Sequence, residues 1–342
     1  MIRWWTTAVV CLMWATIASA QGLAPRSYTY LDVPGTARLL GLGSVNVSAS
    51  RQDVSMFWAN PALLNADLHQ HVSLGYQGYY QSGLYQMAYA HHRPWGTMAA
   101  GISAWNFGEF EGYDNTGQPT GTFTTGAYTA SVAYARTEGA FTLAVATKLS
   151  GNQFVDGGGL AWLSDVAGLY QHPVQDLRVG IVFSNLGTVV GGPKVRVPWN
   201  IRLGTSYKPK HMPVRLSVTF TDLYQWDIVN FDSSFTEEIR HPRFRQQAFS
   251  HVVLGGELIL GENFSAFVGY NPRRRQEMSL PNYGALAGFS TGLELKIKQF
   301  ALGYGVGFYH LAGGTHQITL ATDLDRWFTK KKTIETTLNG VE

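Results

Sequence analysis

The stretch Phe141-Thr142-Leu143-Ala144-Val145-Ala146-Thr147-Lys148-Leu149-Ser150 puts Phe141, Leu143, Val145 and Leu149 on one face and Thr142, Ala144, Ala146 and Lys148 on the other. Successive side chains of an extended strand point to opposite faces, so this stretch predicts a strand with one apolar face and one small or polar face. The pattern recurs. Leu177, Val179, Ile181 and Phe183 oppose Arg178, Gly180 and Ser184; Ile201, Leu203 and Tyr207 oppose Arg202, Ser206 and Lys208. Val214, Leu216, Val218 and Phe220 oppose Arg215, Ser217, Thr219 and Thr221, and Leu293, Leu295 and Ile297 oppose Glu294, Lys296 and Lys298.

A soluble β-sandwich alternates in the same way, so the connections have to separate the two. About fourteen candidate strands can be marked, at 70–80, 83–92, 97–107, 125–136, 140–150, 157–169, 176–184, 200–208, 213–221, 251–259, 264–271, 288–298, 301–310 and 316–324. The connections 93–96, 137–139, 170–175, 209–212, 261–263 and 299–300 are short and fall on one side, while the long ones, 108–124, 185–199, 222–250 and 272–287, all fall on the other. Short turns on one side and long loops on the other, with an even strand number, are the signature of a bacterial outer-membrane barrel. The expectation is all-β: a transmembrane antiparallel β-barrel with both chain ends on the short-turn side.

Composition agrees. Charged residues make up 14% of the 342 residues, aromatics 13%, and there are 38 glycines, a balance that suits strands and tight turns. Mean hydropathy is −0.07, and beyond residue 20 no run of 18 apolar residues occurs, which excludes a helical membrane protein but not a barrel. The net charge of +3 comes without a lysine-rich tract outside the tail, so nucleic acid is not an expected partner.

Residues 1–20 read as a signal peptide, with Arg3, an apolar run from Ala8 to Ile17, and Ala18-Ser19-Ala20 before Gln21. The only cysteine, Cys11, lies within it, so the exported chain has no disulfide. Residues 21–68 differ from the rest: apolar runs at 37–42 and 56–64 are broken by Gly41, Gly43 and Pro61. They are too short to span a bilayer and too apolar to leave in water, which predicts a small plug in the barrel mouth. The barrel itself is expected over 69–328, with Trp327 and Phe328 near its end suiting either an interfacial girdle or end-of-strand packing. A basic tail over 329–342 would be a solvated extension on the short-turn side.

No residue pattern calls for catalysis, a cofactor or a metal. The HExxH spacing and a P-loop are absent from the sequence. His91 and His92 are adjacent on one strand and point to opposite faces, so they cannot chelate one ion together. Glu109, Glu111 and Asp114 read as a turn-rich surface loop that also carries Phe110 and Tyr113. The long connection 222–250 combines Trp226, Phe231, Phe235, Phe244 and Phe249 with Arg240, Arg243 and Arg245. Aromatics with arginine favour protein-binding surfaces, although the loop could equally fold inward and cap the lumen. Arg273-Arg274-Arg275 lies in another outward connection, where it could meet lipopolysaccharide phosphates, a partner protein or only solvent.

Several blocks in order resemble the PorQ family of the Bacteroidetes type IX secretion system. They are Thr29-Tyr30-Leu31-Asp32-Val33-Pro34-Gly35-Thr36-Ala37-Arg38, then Leu42-Gly43, Asp53-Val54 and Asn60-Pro61-Ala62-Leu63-Leu64. Ala88-Tyr89-Ala90-His91-His92, the stretches 96–102, 108–114 and 121–123, and Ser184-Asn185-Leu186-Gly187-Thr188 continue the likeness over nearly the whole exported chain. Asn60-Pro61-Ala62 also resembles the plug of the broader FadL-like barrels. The resemblance implies a fourteen-stranded FadL-like barrel in the attachment complex, holding the surface protein PorZ beside the PorU sortase and the PorV barrel. In that complex secreted cargo is processed and joined to lipopolysaccharide, with the chemistry belonging to PorU.

Two functions follow as expectations. A non-enzymatic scaffold would bind its partner through Phe110, Tyr113, Trp226, Phe231, Phe235, Arg243, Phe244, Arg273 and Arg274, with outer-membrane lipid and lipopolysaccharide around it. A FadL-like transporter of hydrophobic small molecules is the alternative, and an enzyme stands far behind.

Overall fold

Leu143 is 70% exposed while Lys148, on the opposite face of the same strand, is 6% exposed. A soluble sandwich strand would show the reverse. The computed structural model describes residues 27–49, 53–154, 157–228, 244–278, 286–310 and 313–327. The expected signal peptide 1–20, the tail 329–342, and Phe231, Phe235, Arg240, Arg243 and Phe328 lie outside these residues.

The strands are β1 (His71–Tyr79), β2 (Ser82–Arg93), β3 (Gly96–Tyr113), β4 (Pro119–Glu138), β5 (Phe141–Phe154), β6 (Gly157–Gln171) and β7 (Asp176–Gly191). They continue as β8 (Asn200–Lys208), β9 (Val214–Phe220), β10 (Val252–Leu260), β11 (Phe264–Tyr270), β12 (Phe289–Ile297), β13 (Phe300–His310) and β14 (Gly313–Asp323). Each pairs antiparallel with its chain neighbours, and β1 pairs with β14 from His71↔Asp323 to Gly78↔His316, which closes a fourteen-stranded barrel with no free edge. Both the closure and the number of strands follow the expectation from the sequence.

Outside, the wall presents apolar side chains such as Ile102, Val132, Leu143, Leu216 and Val268; inside, alternate positions are small or polar, such as Ala99, Ala133, Ser131 and Thr219. That inversion of the soluble pattern is what a lipid-facing barrel requires. Short turns cluster at one end and long connections at the other, and by the rule for this class these ends are inner and outer.

The wall is uneven in height. β3 and β4 have 18 and 20 residues, whereas β8 to β12 have 7 to 9. About 9–11 tilted residues cross a bilayer. The β3–β4 pair therefore continues well beyond it, and the stretch expected as a loop over 108–124 is mostly a strand hairpin. Its ladder shifts register between Asn106 and Glu109 and closes in the turn 114–118. Sequence alternation is weak there because both faces meet water, so polar Glu109, Glu111, Thr122 and Thr124 read as loop although they pair as strand.

On the low side of the wall the outer connections instead carry two short helices, α2 (Phe244–Ser250) and α3 (Pro272–Met278); the plug carries α1 (Ala37–Gly41). Gln276 Nε2 donates to the Gln246 carbonyl at 3.2 Å and so ties α3 to α2.

Residues 27–68 fill the lumen. They form α1 and 3-10 turns at Thr29–Asp32, Val54–Trp58, Pro61–Leu63 and Ala66–Leu68. Side-chain caps start these turns: Thr36 Oγ1 accepts from Leu39 N at 3.0 Å, and Asn60 Oδ1 accepts from Ala62 N at 2.8 Å. Such short turns are marginal alone, so wall packing supplies their stability. Val54, Met56, Phe57, Ala62, Leu63, Leu64 and Leu68 pack on alanines of β2 to β6, among them Ala88, Ala133 and Ala146. On the opposite side α1 lies against β11 to β14, where Gly305 leaves room for the Ala37 carbonyl; a Cβ there would sit 2.7 Å from that oxygen.

Gly269 marks a close approach of wall backbone to plug backbone, since a Cβ at that position would overlap the Gly43 backbone. Gly269→Val is expected to unseat the plug while the wall still closes. Segment 27–68 would become protease-sensitive, while the barrel keeps its heat-modifiable mobility on semi-native gels.

Candidate functional site

Arg38 sits at the centre of the lumen with its side chain 1% exposed. An unpaired guanidinium there would be very costly, so its partners define the site. Nη1 donates to Glu257 Oε1 on β10 at 2.7 Å, and Nη2 donates to both carboxylate oxygens of Glu294 on β12 at 3.0 and 2.9 Å. Asp53 of the plug lies 3.9 Å from Nε, and the guanidinium carbon stands 4.8 Å from the centroid of the Phe267 ring. Glu257 also accepts from Arg215 Nη1 at 3.0 Å, and Arg215 Nη2 donates to Asp176 at 2.6 Å. One connected set of charges thus joins α1 to β7, β9, β10 and β12. Bidentate pairing of this kind fixes orientation as well as distance.

Smaller ties complete the lumen. Arg202 on β8 pairs with Asp32 of the plug at 2.6 Å, and within the wall Lys148 pairs with Asp165 across β5 and β6 at 2.6 Å. The Asn60-Pro61-Ala62 motif has a visible job: Asn60 caps the following turn with its oxygen and donates its amide to the Val47 carbonyl at 2.6 Å. Pro61 supplies the preset first position of the turn, and Ala62 is buried against the alanine wall.

Two small voids lie between plug and wall among the described residues. One of about 50 Å³ lies between residues 30–33, 44–47 and a wall that includes Gln86, Thr129, Lys148 and Arg202, and another of about 20 Å³ lies beside Arg38. An apolar cavity of about 150 Å³ is the size that takes up benzene. The mixed polar and apolar lining and smaller volume here suit water.

The sequence-predicted surface residues separate into three groups. Trp226 and Phe244 come together at the outer mouth, with ring centroids 5.2 Å apart and exposures of 52% and 75%; Trp226 also stacks on His251. Phe110 and Tyr113 lie on the projecting β3–β4 hairpin, where Phe110 stacks on Phe123 at 5.7 Å. At the tip of that hairpin the Thr116 hydroxyl, with the Gln118 and Thr116 amides, holds the Asp114 carboxyl below its usual range. Arg273 and Arg274 on α3 face the plug and the rim. Arg273 pairs with Asp222 and Glu277 at 3.3 and 2.9 Å; Arg274 donates to Ser44 Oγ at 2.6 Å with its guanidinium 3.8 Å over the Tyr309 ring.

Near the inner end, His91 packs its ring against His69 at 4.7 Å, while His92 Nδ1 lies 2.9 Å from Thr97 Oγ1. Trp327 meets Phe300 edge-on at the same end. Sequence reading included Arg38 and Asp53 in the resembling blocks without giving them a role, and did not single out Glu257. Their signal was a charge inside an apolar run, Ala37-Arg38-Leu39-Leu40, and an inward-facing carboxylate on an alternating strand.

Fold and lumen together define a plugged, closed antiparallel β-barrel of the outer-membrane kind. No family model matches the sequence, and no curated protein matches it. The fold is similar to that of the Pseudomonas putida toluene transporter TodX, with a TM-score of 0.53 and 12% identity over 85% of this chain and 97% of that one. A deltaS2 mutant of the TodX monoaromatic hydrocarbon channel gives 0.52 and 12% over 85% and 98%. A Pseudomonas aeruginosa FadL homologue gives 0.44 and 10% over 85% and 99%. The likeness to TodX is one of fold alone.

Removing the Glu257 carboxylate leaves two buried guanidiniums each short of a partner, a kind of change that costs about 3–5 kcal/mol. Glu257→Ala is therefore expected to lower the unfolding midpoint of the purified barrel strongly. Arg136→Ala, which breaks an exposed pair with Glu138, should leave it in place.

Proposed function

We propose that this barrel is a non-enzymatic scaffold of the outer membrane, a component of a type IX secretion attachment complex that holds a PorZ-like surface protein beside the PorU sortase and the PorV barrel. The observation that carries this reading is the filled lumen: a plug whose buried Arg38 is held by Glu257 on β10 and Glu294 on β12, with described voids of about 50 and 20 Å³, smaller than the cavity that takes up benzene. A barrel whose interior is occupied in this way has its free surface at the outer mouth and in the lipid. There Trp226 and Phe244 form an exposed aromatic pair, and Phe110 and Tyr113 stand on a projecting hairpin; both suit protein contact. The resemblance of residues 29–38, 60–64 and 184–188 to the PorQ family supplies the complex.

A second reading is a transporter of hydrophobic small molecules. It is favoured by the TodX-like fold, TodX being described as a toluene transporter, and by an apolar groove of about 650 Å³ on the lipid-facing side of β2 to β6, lined by Met87, Tyr89, Ile102, Leu149 and Trp162.

Affinity isolation of the tagged barrel from detergent-solubilised outer membranes distinguishes them. The scaffold predicts recovery of a PorZ-like protein, with capture falling about tenfold or more in the Trp226→Ala, Phe244→Ala double variant at equal barrel yield. Recovery of the barrel alone with bound hydrocarbon or lipid, together with solute uptake by barrel-containing vesicles, would overturn it in favour of the transporter.

A further inference from the structure

The first described residues lie at the outer mouth, not on the short-turn side where the sequence places both chain ends. Ser27 N donates to the Arg196 carbonyl at 3.0 Å, in the outer connection between β7 and β8. Tyr28 is buried against Ala161 and Leu163 in the outer half of β6 and against Val197 of the same connection. The Tyr30 hydroxyl is 2.8 Å from Ser150 Oγ towards the outer end of β5, and Asp32 pairs with Arg202, the third residue of β8 from its outer end. From there the chain drops to mid-wall at Ala37, whose amide donates to Thr319 Oγ1 at 2.9 Å. It rises again to Ser44 beside Arg274, then descends to enter β1 at the inner end. Segment 27–68 therefore runs through the barrel from outside to inside.

We infer that the segment starting at Ser27 enters the barrel from the outer mouth, so that Ser27 is open to the cell exterior beside the β7–β8 connection, while β14 ends on the inner side. The wall is closed laterally, and the space beneath Ser27 is taken by the plug, so Ser27 faces the outer mouth. The inference rests on the outer-membrane reading.

Cysteine accessibility in intact cells tests this. The chain's only cysteine is Cys11, within the expected signal peptide, so an introduced thiol is the single target in the exported protein. Ser27→Cys, or an epitope inserted directly before Ser27, is compared with Asn115→Cys at the outer hairpin tip and Val174→Cys in an inner turn. A membrane-impermeant maleimide, or an antibody for the epitope, is expected to reach position 27 and position 115 in intact cells, and position 174 only after the outer membrane is permeabilised. If position 115 labels while position 27 and the epitope behave like position 174, the inference is overturned. If positions 115 and 174 label alike, the outer-membrane orientation fails and the inference falls with it.

Discussion

Burying Arg38 in the middle of the lumen is the constraint on which the arrangement depends. A guanidinium at 1% exposure is tolerable only if carboxylates meet it in the right plane, and those carboxylates come from strands far apart in the chain, β10 and β12. Closing the wall brings Glu257 and Glu294 to the plug, and placing the plug gives those two inward acids their counter-charge. Neither the wall nor the plug is electrostatically complete without the other. Arg215 extends the dependence to Asp176 on β7, so the same charges that hold the plug also join the strands around it.

The two halves of the lumen use different physics. On the β2 to β6 side, alanines let the 3-10 turns approach closely and bury leucines and aromatics without polar partners. On the β9 to β14 side, the wall offers glycine, serine, threonine and carboxylates, and contacts with α1 are hydrogen bonds and ion pairs. The rim helices complete the arrangement from above, where Arg274 reaches Ser44 and Asn271 reaches the Gly43 carbonyl. An anchored plug with small voids leaves the outer mouth and the lipid-facing surface as the places where this protein can meet other molecules.

The wall was legible in the sequence because period-two alternation is a local property: residues 141–150 show their two faces without reference to any other strand. Lys148, Arg178, Arg202, Arg215 and Glu294 were already assigned to the polar face, and all belong to strands whose polar face lines the lumen. Their partners were not legible, because Arg38 and Glu257 are separated by 219 residues and meet only once the sheet closes. The same limit applies to the ends. Alternation cannot say from which mouth a plug enters, and an even strand count places only the two ends of the sheet. Strand pairing in the 108–124 hairpin escaped notice because water on both faces removes the pattern that marks a strand.

Cross-linking the plug to the wall tests this account most directly. A Cβ built at Gly303 lies 3.2 Å from the Ala37 Cβ, close to the roughly 3.5–4.5 Å of a disulfide. With Ala37→Cys and Gly303→Cys in the membrane-inserted protein, mild oxidation is predicted to give a nearly complete intramolecular cross-link, seen as a shift in gel mobility that reductant reverses. Two free thiols that label readily and do not cross-link would contradict a plug fixed against β13 and the ionic anchoring of the lumen.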